Sequence, residues 1–461
     1  IGFQLNNFFS KSDQSYFNKI HNLINNKKTD LKKIPKAKHQ KRAVIKIKKA
    51  FKKYPKGKLI FPCGTGKSLI GYWVAKELKL KNIIVAVPSL FLINQTLNTW
   101  VKEALAYKWN FDFRAVCSKE TTSKINDDSV VLQLPELGIK TLVEQKDINE
   151  WILKKTSLPK VTFVTYQSLK KIIKVKKKVA FDIAIVDEAH KTIGEKDGKY
   201  SQILFDDQIK IKKRLFMTAT QRFYKGKSNQ IFGMENTDYY GKIDGDGIID
   251  ELKFSEALKL KRPDGSRVLV DYEIYHLAID KKEIKNLIQK NYFVKPKDKK
   301  IAKKLKWNKE SESLMLASAI AYRKAVEEEN INNTISFSNG IERAKLFSEQ
   351  VSILNKIYKK KPIKTYHVSS ELNLSERNNQ LEAFSNSDNS LLTNAKCLQE
   401  GVDIPKVDCI VFADPKYSKI DIVQSTGRAL RPYKGKKKGF IIIPTIIDNN
   451  ETKKSKSRQE Q

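Results

Sequence analysis

The chain has 461 residues, a length that allows about two to four domains, each able to bury a core of its own. Its 89 basic against 51 acidic side chains give a formal charge of +38, which suits nucleic-acid phosphates, but lysine far outnumbers arginine and Asn and Ile abound, as an AT-rich coding sequence would produce, so charge alone assigns no activity. No apolar run approaches the roughly 18 to 20 residues of a membrane-spanning helix, no secretory signal opens the chain, and the cysteines (Cys63, Cys117, Cys397, Cys409) form no zinc pattern, which predicts a cytoplasmic protein with reduced thiols and no membrane partner.

Residues 1–34, opening on Ile1 rather than Met, read as a polar extension of a segment cut from a longer chain. A new unit enters at Pro35–His39, and from Gln40 an amphipathic helix leads to the apolar strand KLIF (58–61), a glycine-containing loop and the helical run SLIGYWVAKEL. Short β-branched runs follow: NIIVAVP (82–88), VTFVTY (161–166), FDIAIVDEA (181–189) and KRLFMTAT (213–220). Few charges and intervening helical stretches mark these as buried parallel strands, so residues 35–222 predict an α/β sheet domain.

Residues 223–310 lack that rhythm and read as a connector. Alternation resumes near Ser311 with the helix SLMLASAIAYRKAVEEE, the strand NTISFS (333–338), the helix IERAKLFSEQVSIL, and strands at KTYHV, 390–394, 407–413 and 439–444. A second parallel-sheet domain over 311–445 and a tail over 446–461 complete the expected order.

Three motifs carry chemistry. PCGTGKS (62–68) lies between a predicted strand and helix, where the backbone of Cys63, Gly64, Thr65 and Gly66 can cradle phosphates, Lys67 can hold the β and γ groups and Ser68 can contact Mg²⁺. The usual first glycine of a Walker A loop is replaced by Phe61. FDIAIVDEAH ends an apolar strand on two carboxylates: Asp187 can hold Mg²⁺ while Glu188 orients and deprotonates a water, although the pair alone could be a solvated strand end. In QSTGRALRP (424–432), Arg428 and Arg431 share one face if helical and can engage a γ-phosphate, or can serve as surface arginines.

Together these motifs resemble a superfamily 2 helicase of the DExH/DEAH type, with PSLFLINQT, VTYQSL, MTAT, ISFSNGIERA and LLTNAKCLQEGVDIP as the intervening elements. The resemblance covers about residues 35–445 and implies two tandem RecA-like domains hydrolysing ATP between them. It implies that Gln40 reads the adenine with His39 beside it. Thr218 and Thr220 would link ATP state to strand movement, and Gly401 and Asp403 would close the site from the second domain. Gln424 would lie near the γ-phosphate, and His190 would couple the two halves.

In such folds the nucleic acid touches mainly sugar and phosphate, which makes Pro88, Ser89, Thr165, Tyr166, Phe337, Ser338 and Thr393 the expected contacts. Each has a structural alternative: Pro88 as a strand end, Tyr166 and Phe337 as core aromatics, the hydroxyls as helix caps. In finer detail FPCGTGKS, FMTAT and LKFSEALKLKRPDGSRVLVDYEIY are similar to the helicase segment of restriction-type (type I, III and ISP) enzymes. DNA is then the expected partner, and a nuclease or methyltransferase domain would lie outside these residues. An RNA helicase and a non-hydrolysing nucleotide-gated clamp or scaffold are the competing readings.

Overall fold

The computed structural model describes residues 32–117, 141–175, 179–195, 198, 200–224, 231–359, 361–369, 371–372, 374–395, 404–414, 422, 425–427 and 429–447. These divide between Val268 and Leu269 into two compact units.

The first unit is built on β1 (Lys56–Ile60), β2 (Asn82–Val87), β3 (Asp112–Val116), β4 (Thr141–Leu142), β5 (Lys160–Thr165), β6 (Ile183–Asp187), β8 (Arg214–Thr218) and β10 (Ile248–Glu251). They form one eight-stranded sheet in the order β10-β1-β8-β6-β2-β5-β3-β4, every neighbour parallel. Two further strands, β7 (Gly194–Glu195) and β9 (Ile231–Phe232), make a small antiparallel pair. Parallel strands need crossover connections, and α1 (Lys38–Ala50), α2 (Lys67–Glu77) and α3 (Leu90–Tyr107) lead the helices that flank the sheet. One face packs Trp151, Tyr166, Phe181, Phe216 and Tyr240 into a continuous apolar core.

The first residue of β8, Arg214, is almost wholly buried, yet it is well satisfied. Its guanidinium donates to the carbonyls of Ile203 (2.7 Å), Ile209 (3.3 Å) and Ile211 (3.3 Å) and pairs with Asp206 at 2.7 Å. Helix α1 is fixed to the sheet edge by another charge contact, in which Arg42 and Lys46 converge on the buried Asp250 of β10 at 2.9 and 2.7 Å.

The second unit contains β11 (Asp271–Asp280), α4 (Lys309–Glu328), β12 (Asn333–Phe337), α5 (Ile341–Leu354), β13 (Lys364–His367), β14 (Ser390–Asn394), β15 (Cys409–Phe412) and β16 (Lys438–Ile447). Its sheet runs β11-β16-β15-β12-β14-β13, again parallel throughout. Helix α4 buries Met315, Leu316, Ile320 and Tyr322 in the core, as its apolar spacing requires.

Two α/β sheets in tandem are what the sequence predicts. The stretch 223–310, read as a connector, supplies an edge strand to each of them: β10 to the first sheet and β11 to the second. Among the described residues no helix is long and apolar enough to cross a membrane, and no cluster of three or more His, Cys, Asp or Glu could hold a metal.

Replacing Arg214 by Met keeps the volume but strands three buried carbonyls. The expected cost is about 3–5 kcal/mol in the unfolding of the first unit, measured by urea denaturation. A loss below about 1 kcal/mol would show that the guanidinium does not hold these loops.

Candidate functional site

Strand β1 ends at Ile60 opposite Thr218 of β8, and the next residue, Phe61, donates its N–H to the Thr218 carbonyl at 2.9 Å. The chain then turns through Gly64 (φ 81°) and Gly66 (φ 85°), backbone angles that glycine adopts without strain. A Cβ at Gly66 would also stand 2.3 Å from the Nε2 of Gln40 and push that amide aside. Helix α2 starts directly after Gly66, at Lys67.

The loop is held from within and from α1. Thr65 donates its hydroxyl to the Pro62 carbonyl at 2.7 Å, while its own carbonyl accepts from Gln40 Nε2 and His39 Nε2, both at 3.0 Å. A carbonyl can only accept, so His39 carries its proton on Nε2, and burial holds this imidazole below its ordinary pKa. Gln40 also accepts from the N–H of Ala37 at 2.9 Å, which fastens the start of α1. Lys67 is buried and donates to the Phe61 carbonyl at 3.1 Å. The Ser68 hydroxyl beside it is buried with no hydrogen-bond partner.

Asp187 closes β6, and Glu188 follows in the left-handed region at φ 51°. A non-glycine residue there costs about 1–2 kcal/mol, offset here by a bond from the Glu188 N–H to Asp187 Oδ1 at 3.0 Å and one from the Tyr166 hydroxyl to the Asp187 carbonyl. Desolvation and the neighbouring Glu188 charge raise the Asp187 carboxyl above its ordinary range, while the Lys67 ammonium pulls it back. Loop and acids therefore share one electrostatic site.

His190 adds a link to β8. Its Nδ1 lies 3.0 Å from Thr218 Oγ1 and 3.5 Å from a Glu188 carboxylate oxygen. Thr218 gives its only hydroxyl proton to the Thr220 carbonyl at 2.8 Å, so it must accept from His190, which places the ring proton on Nδ1. Burial lowers the His190 pKa to about 4, leaving the ring neutral and suited to orienting neighbours rather than to proton transfer near pH 7.

The expected strand contacts fare unevenly. Pro88 and Ser89 are half-buried, with Ser89 capping α3 by accepting from the Leu92 N–H at 3.3 Å. Thr165, Tyr166, Phe337, Ser338 and Thr393 are all fully buried. Thr165 bonds Ser168 at 2.8 Å, Tyr166 lies in the core, Phe337 packs on Phe412, and Thr393 donates to the Tyr366 carbonyl at 3.2 Å. Thr165, Tyr166, Phe337 and Thr393 thus engage partners inside the units, whereas the Ser338 hydroxyl is buried with no hydrogen-bond partner. Arg431 is half-buried, whereas Gly401, Asp403, Gln424 and Arg428 lie outside the described residues. Sequence reasoning missed the role of Tyr166 as an anchor of the acidic turn; a hydroxyl on an otherwise core aromatic is the signal that could have shown it.

Residues 33–223 match the family described as "Type III restriction enzyme, res subunit", and residues 315–433 match the "Helicase conserved C-terminal domain". A probable helicase of African swine fever virus (isolate Pig/Kenya/KEN-50/1950) is 22% identical over 395 residues, covering 84% of this chain and 38% of the viral protein. Among solved structures, the ATP-dependent Type ISP restriction-modification enzyme LlaBIII bound to DNA is similar at a TM-score of 0.74 and 24% identity, over 91% of this chain and 28% of that one. A nuclease-deletion mutant of the Type ISP enzyme LlaGI, in complex with a DNA substrate mimic, gives 0.57 at 22% identity over 90% of this chain and 27% of its own. This chain thus spans well under half the length of these relatives, and with the two structures it shares the fold. With both sheets, the phosphate loop, the acidic turn and the two family matches in chain order, the chain belongs to the superfamily 2 helicases, its domains homologous to the helicase modules of restriction-type enzymes.

Proposed function

We propose that this chain is an ATP-hydrolysing motor that moves along DNA as the helicase segment of a restriction or defence enzyme. The observation that carries the reading is the meeting of Lys67 with Asp187 and Glu188 at the ends of strands separated only by β8. In open parallel sheets, ligands bind beyond the carboxyl ends of the strands.

ATP is the substrate. Backbone N–H groups of Cys63 to Gly66 would surround its phosphates, with Lys67 against the β and γ groups and Gln40 at the adenine. The partnerless Ser68 hydroxyl and the Asp187 carboxyl form a hard oxygen donor set that fits Mg²⁺, which when bound neutralises phosphate charge. Glu188 orients a water and accepts its proton as the water oxygen bonds to the γ-phosphorus and the bond to the β-phosphate oxygen breaks, releasing ADP. Neutral His190 donates its Nδ1 proton to Thr218, with a Glu188 carboxylate oxygen 3.5 Å from the same nitrogen. Arg431, with Arg428 and Gln424, is assigned to the γ-phosphate charge in the transition state, and Gly401 and Asp403 to closing the site. Pro88 and Ser89 remain the surface positions for the strand. DNA rather than RNA is favoured by the restriction-enzyme family match and by the DNA-bound state of the similar structures.

Glu188→Gln is expected to bind ATP with near-normal affinity while kcat falls about 10²- to 10⁴-fold, read by nucleotide titration and steady-state hydrolysis. Near-normal turnover would remove Glu188 from its role. ATPase measured with duplex DNA, single-stranded DNA and RNA is expected to rise with duplex DNA; stimulation by RNA alone would overturn the choice of track, and absence of hydrolysis throughout would favour a scaffold.

A further inference from the structure

Ser425–Gly427 and Ala429 are helical, and the helix stops at Leu430 and Arg431. Carbonyls at a helix end have no partner within the helix. Here they are met from outside. The Leu430 carbonyl accepts from the Val270 N–H at 2.8 Å, and the Ala429 carbonyl faces Gly439, where any Cβ would stand 2.5 Å away. The Arg431 carbonyl accepts from Lys436 Nζ at 2.8 Å.

The same ammonium donates to the Val407 carbonyl and, at 3.4 Å, to that of Pro405. Three N–H groups thereby meet three carbonyls, the full donor capacity of a lysine. One cation thus ties Arg431, just past the helix end, to the loop that enters β15. No feature of the helicase motifs themselves requires it.

We propose that Lys436 is a positioning residue for Arg431: its ammonium fixes the backbone that carries this guanidinium, so that Arg431 reaches the γ-phosphate already oriented. The proposal rests on the role given to Arg431 above. A pre-set donor stabilises developing charge without reorganising during the reaction, and a loosened one forfeits part of that effect.

Among the described residues the charged groups around Lys436 are Asp408, whose carboxylate accepts from the N–H groups of Asn332 and Asn333 at 3.0 Å each, and Arg431. Burial, with Arg431 adding to it and Asp408 opposing, lowers the Lys436 pKa to about 8. Below that pH the ammonium holds all three carbonyls. Above it a neutral amine can donate only two, so the positioning weakens as pH rises.

The test is DNA-stimulated steady-state hydrolysis by the whole chain. Lys436→Met is expected to lower kcat about tenfold with KM for ATP changed less than about twofold. Lys436→Arg, which stays charged, should keep most of kcat and move the alkaline fall in activity to higher pH. Combined with Arg431→Ala, Lys436→Met should cost nothing further, since both act through one guanidinium. Wild-type kcat in Lys436→Met, or additive losses in the double variant, would overturn the proposal while leaving Arg431 in place. Wild-type kcat in Arg431→Ala would instead overturn the reading beneath it. Should Lys436→Met fail to fold, the pH profile of Lys436→Arg decides, and an unshifted alkaline limb counts against Lys436.

Discussion

Strand β8 lies between the strand that ends in the phosphate loop and the strand that ends in the acids, and its register with both sets the candidate site. Ile60 of β1 pairs with Thr218, and Asp187 of β6 pairs with Met217, so the two chemistries emerge level at one edge of the sheet. Two strand spacings of about 4.8 Å set their lateral separation. Thr218 serves both neighbours: its carbonyl takes the Phe61 N–H, and its hydroxyl takes His190 while donating to Thr220. At the other end of the same strand, Arg214 fixes three loop carbonyls. A slip of one residue in β8 would turn every side chain to the opposite face and undo both ends together.

That guanidinium belongs to a wider pattern. Lys58 donates to Gln221 and to the Met234 carbonyl; Lys160 reaches the carbonyls of Trp151, Ile152 and Lys154; Arg323 holds those of Tyr358 and Lys361. Each is a buried cation donating to backbone carbonyls in loops or at a helix end. Burying a charge is costly unless such bonds are complete, and these are charge-assisted bonds of the stronger kind. Part of the chain's positive charge is therefore structural, a physical reason why net charge alone assigns no activity.

The strands that carry the site were legible because their β-branched residues are buried on both faces, leaving an uninterrupted apolar run; β2, β5, β6 and β12 fall within about two residues of where the sequence puts them. The edge strands were not. Asp112–Val116, beside the edge strand β4, carries half-buried Asp112 and Arg114, Ile248–Glu251 carries buried Asp250 and exposed Glu251, and β11 alternates exposed Tyr272 and Ile274 with half-buried Glu273 and Tyr275, a weak signal in a Lys-rich background. Glycine spacing and the strand–helix context made the loop readable without a structure. The strand contacts were harder, since a Thr or Tyr near a strand end has the same letters whether it faces solvent or, like Thr165 and Tyr166, the core.

The loop also separates shape from charge. Its path is held by the Phe61 N–H on β8, by the internal Thr65 bond and by two side chains of α1 that converge on the Thr65 carbonyl. The position of α1 is in turn fixed through Asp250 on the edge strand β10, which pairs with β1. Lys67 contributes one further bond, to the Phe61 carbonyl, from a flexible side chain able to exchange it for a phosphate oxygen. Geometry thus comes from neutral groups and the ion pairs on Asp250, while the Lys67 charge acts on Asp187. A preformed cradle of this kind would order little on taking up a phosphate, so little binding energy would go into shaping it.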